Sequence, residues 1–61
     1  MLPNDLEKVY VDTYGRFVIY GHSNFAYYLF EIPQYGGDEY YTHKSSDTLE
    51  ELIQYAETNL T

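Results

Sequence analysis

The chain contains no cysteine, and only three of its 61 residues, Lys8, Arg16 and Lys44, carry positive charge. Without cysteine there is no disulfide, which removes the commonest brace of a small domain. A structural zinc site is also excluded in practice, because His22 and His43 are the only nitrogen ligands. The absence of thiols fits a reducing compartment. No apolar run approaches the roughly 20 residues of a membrane span. The start, Met1-Leu2-Pro3-Asn4-Asp5, lacks the basic and apolar regions of a secretory signal. The expectation is a cytoplasmic chain, complete as a single domain over 1–61, with no cofactor.

The shortage of cations excludes further classes. Ten carboxylates give a net charge of −7. Nucleic-acid affinity rests on clustered Lys and Arg against phosphates, so direct nucleic-acid binding is not expected. Anionic membranes should repel this chain as well. The natural electrostatic partner is a basic protein, such as one that itself binds nucleic acid. The competing explanation is that the charge serves solubility.

What the chain has in abundance is tyrosine: nine, beside three phenylalanines. Tyrosine pairs a large apolar body with a polar tip and suits positions that are dry on one side and wet on the other. A chain this short buries only about 60% of the surface it exposes when unfolded, so several rings must remain at the surface. An acidic, tyrosine-rich surface reads as a binding face.

The pattern of residues gives four strands and a helix. Over 7–12, Val9 and Val11 alternate with Lys8, Tyr10 and Asp12, the period of a half-buried strand. Thr13-Tyr14-Gly15 supplies a turn, with Gly15 free to take positive φ. A second strand covers 16–20, and Gly21-His22-Ser23-Asn24 turns the chain again. The third strand, 25–32, is apolar on both sides: Phe25, Tyr27 and Leu29 on one, Ala26, Tyr28, Phe30 and Ile32 on the other. That marks it as central or covered on each face. Pro33 ends it. After a loop containing Gly36-Gly37, residues 39–43 form a short fourth strand suited to an edge. The helix covers about 48–59, with Asp47 and Glu50, or Thr48 and Glu51, at capping-box spacing. Leu49, Leu52, Ile53, Ala56 and Leu60 form its apolar stripe, and Glu50, Gln54 and Glu57 the opposite face. Acidic residues in the first turn are explained by the helix dipole.

The expected fold class is therefore α+β: a three- to four-stranded antiparallel meander with one C-terminal helix packed on one face. A single helix covers a single face. The other would expose rings from three strands, and an apolar patch beyond a few hundred Å² is rare on a monomer. That face should meet a partner, a second copy in a homodimer, or both.

Catalytic signals are weak. Ser23, Ser45 and Ser46 lie in turns or before the helix, without a relay to a base. His22 and His43, with Lys44, could act as an acid–base pair on RNA, but the acidic surface repels that substrate. Asp38, Glu39 and His43 fall short of a calcium-type ligand set. Gly36-Gly37 lacks the Lys and the following helix of a phosphate cradle. The expectation is a non-enzyme.

Two resemblances bear on function. Phe25-Ala26-Tyr27-Tyr28-Leu29-Phe30 resembles in part the aromatic strand with which RNA-recognition domains stack bases. The basic residue and glycine expected ahead of it are replaced by Ser23-Asn24, and the charge is of the wrong sign. Phe30-Glu31-Ile32-Pro33 followed by Ser46-Asp47-Thr48-Leu49-Glu50-Glu51-Leu52 resembles the partner-binding domain of HicB-type antitoxins. There a strand ending in proline leads through a turn and a strand into such a helix. That resemblance implies a small acidic protein that covers and silences an RNA-cleaving toxin. The span from Pro33 to the helix is longer here, Gln34 stands where aspartate is common, and Ser46 where glycine is usual.

In general kind the chain also resembles the small acidic phage inhibitors of bacterial defence systems, some of them nucleic-acid mimics. The sequence thus points to a non-catalytic inhibitor docking on a basic, nucleic-acid-binding or nuclease partner. The alternatives are a HicB-like antitoxin and a purely structural homo-oligomerisation module. The candidate contact residues are Tyr10, Tyr27, Tyr28, Tyr40 and Tyr41 as aromatic anchors, and Asp12, Glu31, Asp38 and Glu39 as steering charges.

Overall fold

The computed structural model describes residues 5–22 and 25–59. Strands β1 (Glu7–Val11), β2 (Phe17–His22), β3 (Phe25–Glu31) and β4 (Tyr40–Ser46) precede one helix, α1 (Leu49–Asn59). The strands lie in the order β1-β2-β3-β4, every neighbouring pair antiparallel. This is the expected α+β meander with one helix. β3, apolar on both sides, is interior, and β4 is an edge. The expected turn residues Ser23 and Asn24 and the expected stripe residue Leu60 lie outside the described residues, as does the Phe25 side chain.

Two of the connections show why the chain folds here. Between β1 and β2, Gly15 takes φ 70° and its N–H donates to the Asp12 carbonyl at 2.9 Å. Glycine takes that left-handed conformation without the strain an L side chain carries there. Between β3 and β4, Gly36 and Gly37 both have positive φ, and the Gly36 N–H donates to the Pro33 carbonyl at 3.3 Å.

Only two residues, Asp47 and Thr48, separate the helix from β4, so it must fold straight back over the sheet. It crosses β2, β3 and β4. Leu52 and Ala56 are fully buried against Phe17, Ile19 and Leu29, while Leu49, Ile53, Tyr10 and Tyr27 pack around them. Full burial of a Leu, Ile or Phe side chain contributes about 1.5–3 kcal/mol, so this cluster is the main attractive term of the fold. Glu50, Gln54 and Glu57 face water, as the helical spacing requires. The start of the helix departs from both expected capping pairs, Asp47 with Glu50 and Thr48 with Glu51, though Glu51 takes part. The Ser46 hydroxyl accepts the Thr48 N–H at 3.1 Å and donates to the Glu51 carboxylate at 2.7 Å. Ser46, the last residue of β4, ties the strand directly to the first helical turn.

The facing of β1 also needs correction. Val9 and Val11 were expected to share a buried side, yet they are 42% and 54% exposed. The register shifts between Lys8 and Tyr10, which pair with Tyr20 and Ile19. This bulge turns Tyr10 inward, where its ring stacks on Phe17 with centroids 5.9 Å apart. The extra residue breaks strict alternation. The gain is a large ring in the core in place of a valine.

Gly21 is needed for space, not for its backbone conformation. A Cβ there would lie 2.3 Å from Cδ1 of Tyr27, whose ring lies across it. Gly21→Ala should cost about 1–3 kcal/mol, read from the urea midpoint. The same change in a Tyr27→Ala background should cost less, since the clash is gone; equal costs in the two backgrounds contradict the explanation. Leu52→Ala should lose about 2–5 kcal/mol, and a loss below 1 kcal/mol would mean that the helix is not the cover of the core.

Candidate protein-binding face

The sheet face opposite the helix is built from alternate residues of three strands. β2 gives Val18 and Tyr20, β3 gives Tyr28 and Phe30, and the pairs Val18↔Phe30, Tyr20↔Tyr28 and Phe30↔Tyr41 set them side by side. The rings touch in a chain. Tyr20 meets Phe30 edge-on at 5.0 Å, Phe30 meets Tyr41 at 5.5 Å, and Tyr41 meets Tyr28 at 6.0 Å and His43 at 5.1 Å. Such pairs add about 0.5–1.5 kcal/mol beyond area burial. Val18, paired with Val11 and Phe30, is only 1% exposed although the helix lies on the other side. Tyr20, Tyr28, Phe30 and Tyr41 themselves remain half-buried. The face is partly covered by its own side chains and still leaves part of each ring exposed.

β4 is shaped to serve this face. Its register shifts by two extra residues between Tyr41 and Ser45, and His43 within that irregularity has φ 61°. Thr42 stays attached through its hydroxyl, which donates to the Leu29 carbonyl at 3.0 Å. The bulge brings the His43 ring against Tyr41.

A polar clamp closes the β1 side of the face. Glu39 accepts the Tyr20 hydroxyl at 2.5 Å and the Lys8 ammonium at 3.2 Å. The Tyr20 hydrogen bond, with help from Lys8, holds the Glu39 carboxyl below its usual range despite partial burial. The same bond pushes the Tyr20 phenol up, and the Lys8 ammonium is raised by its bond to Glu39. A second clamp fixes the β1–β2 loop. Asp12 is 5% exposed and accepts Arg16 three times: from the backbone N–H at 3.1 Å, Nε at 2.6 Å and Nη2 at 3.1 Å. The hydrogen-bonded guanidinium keeps the Asp12 carboxyl low against the opposing effect of burial.

These contacts sort the sequence candidates. Tyr28 and Tyr41 lie on the ring face. Tyr10 and Tyr27 lie on the helix side, packed against the core. Asp12, expected as a steering charge, is enclosed and neutralised by Arg16, because the loop needs an acceptor inside it. Glu39 is committed to Lys8 and Tyr20. Asp38 is exposed in the loop, and Tyr40, 49% exposed, donates to Glu31 at 2.8 Å. Sequence reasoning missed Tyr20 and Phe30 as members of the face. For Phe30 the signal was available, since it has the parity of Tyr28. For Tyr20 it was not, because a register shift between Tyr20 and His22 sets Tyr20 opposite Tyr28, where a regular hairpin centred on 23–24 would set it opposite Tyr27. It also missed Tyr14 and Tyr35, which are 79% and 96% exposed. The His22–His43 pairing cannot be placed, because the His22 side chain lies outside the described residues; His43 is exposed. Among the described residues no helix is long and apolar enough to cross a membrane.

The chain matches no protein-family model, no curated protein and no solved structure.

The clamps predict a pH signature. Both carboxyls have depressed folded-state pKa values, so their stabilisation is present above the unfolded values, 4.5 for Glu39 and 3.8 for Asp12. It is lost as pH falls through the lower folded values. The native chain should exceed the Asp12→Asn/Glu39→Gln variant in stability at pH 7, and the gap should close below about pH 4. A gap that stays constant from pH 7 to pH 3, by chemical denaturation, would show that the two carboxylates are not the source.

Proposed function

We propose that this protein is a small, acidic, non-catalytic inhibitor that docks its ring-lined sheet face on a basic protein, of the nucleic-acid-binding or nuclease kind. One observation carries the reading: all three cations are engaged within the chain. Lys8 pairs with Glu39, Arg16 with Asp12, and Lys44 lies over the Tyr55 ring at 4.9 Å. Lys8 and Arg16 are matched by carboxylates, and Lys44 alone stands against the many exposed ones, among them Asp5, Glu7, Asp38, Asp47 and Glu50. A surface of one sign steers an oppositely charged partner, and half-buried rings supply anchors once it arrives. Tyr28 and Tyr41 are the proposed anchors on that face. Tyr40 and Glu31, paired with each other across β3 and β4, have the facing of Phe17 and lie on the other side of the sheet. Asp38 is an exposed steering charge in the adjoining loop.

A HicB-like antitoxin role has the same physical basis. The order β3, turn, β4, α1 is the order that resemblance implies, and an RNA-cleaving toxin is a basic partner. A second copy of this chain is the competing occupant of the ring face, in a homodimer or a purely structural module. Two bodies of charge −7 repel each other at low salt, which favours the basic partner.

The test is affinity capture from lysate at about 50 mM and about 500 mM salt, where screening differs severalfold, with the retained protein identified. A basic protein should be captured at low salt, with association that slows steeply as salt rises. Asp38→Lys should weaken that capture while leaving thermal unfolding unchanged. Capture of this chain alone, as a dimer that high salt strengthens, overturns the proposal in favour of self-association.

A further inference from the structure

The β1–β2 loop and the start of the β3–β4 connection stand side by side, joined where the Ile32 N–H donates to the Arg16 carbonyl at 3.0 Å. Between them lies a groove of about 540 Å³, within the rough 300–1,000 Å³ range of ligand sites. Tyr14, Arg16, Glu31, Ile32 and Pro33 line it.

Its chemistry is set by three contacts. The Arg16 guanidinium sits over the Tyr14 ring at 5.1 Å, yet Tyr14 is 79% exposed, so the opposite side of the ring is open to solvent. Arg16 is itself spent: Nε and Nη2 are both bonded to Asp12, and the charge of Glu57 also acts on it. The Glu31 carboxylate is oriented by the Tyr40 hydroxyl on Oε1, which leaves Oε2 as an acceptor. An anion would meet Glu31 and an already neutralised arginine. A cation would meet an open aromatic surface and a positioned carboxylate.

We propose that this groove receives an arginine side chain of the partner protein. The incoming guanidinium stacks on the open side of Tyr14 and donates to Glu31, and its methylene stem lies along Ile32 and Pro33. Arginine fits better than lysine because a planar guanidinium both stacks on a ring and forks onto a carboxylate, whereas an ammonium is a compact, strongly hydrated charge. The inference rests on the basic-partner reading and adds a specific anchoring site to it.

The test is a titration of the isotope-labelled full chain with the peptide acetyl-Gly-Arg-Gly-amide up to about 20 mM, a range that captures millimolar binding. The controls are the lysine peptide and the citrulline peptide, the latter similar in shape but uncharged. The amide signals of Gly15, Arg16, Ile32 and Gln34 should shift and saturate with the arginine peptide. Loss of a charge-assisted contact should weaken binding about tenfold or more, for citrulline and for Glu31→Gln alike. Glutamine can still accept from Tyr40, so that variant tests charge and not folding, and its unchanged amide spectrum elsewhere checks this. Tyr14→Ala, at an exposed loop position, should weaken binding as well. Binding that is equal for citrulline or unaffected by Glu31→Gln overturns the site. Shifts confined to the helix around Glu50 and Gln54 overturn it while leaving the basic-partner reading intact. The absence of any shift overturns it too, and the lysate capture decides separately whether the broader reading falls with it.

Discussion

A sheet has two faces, and this chain has one helix to spend on them. That constraint shapes the rest of the molecule. The helix goes to the side where Phe17, Ile19 and Leu29 can bury Leu52 and Ala56 completely. The second side is left to cover itself, and it does so with rings. Tyrosine and phenylalanine are wide enough for neighbours on adjacent strands to reach one another, so Tyr20, Phe30, Tyr41 and Tyr28 form one connected layer. Smaller aliphatic residues in those places would leave the sheet backbone open to water. A chain without disulfides can be this small because its tyrosines serve as cover on one side and as surface on the other.

The scarce cations follow a related logic. Two of the three are placed where a turn or a loop needs fixing. Arg16 locks the β1–β2 loop onto Asp12, and Lys8 helps Glu39 hold the end of the long β3–β4 connection to the sheet. Using them internally stiffens the loops at both ends of the molecule and leaves the outside almost wholly negative. The same arrangement that stabilises the fold therefore sets the electrostatic character of its surface. The two proposed contact regions, the ring face and the groove beside Tyr14, are both held in place by these clamps.

Much of this was legible in the residues, and the exceptions have physical causes. The two-sided apolarity of β3 marked an interior strand, and Leu52 and Ala56 fell on the helix stripe because 3.6-residue periodicity needs no tertiary information. The facing of β1 was misread because a bulge, invisible to strict alternation, exchanges Tyr10 for Val9 in the core. Asp12 read as a surface acid because its burial depends on Arg16 reaching back across the turn. The role of Glu39 could not be seen at all. Its partners, Tyr20 and Lys8, are 19 and 31 residues away, and only the meander brings them together. Ser46 replaced Asp47 at the helix start because β4 runs three residues longer than its pattern suggested, placing the serine hydroxyl at the first turn.

The proposed function requires that a basic protein cover the ring face. The most direct measurement is the ring-proton magnetic resonance spectrum of Tyr20, Tyr28, Phe30 and Tyr41 before and after addition of the captured partner. The account predicts that these four respond together, while Tyr10 and Tyr27, packed on the helix side, keep their positions. A tight complex that leaves the four rings unchanged would contradict it.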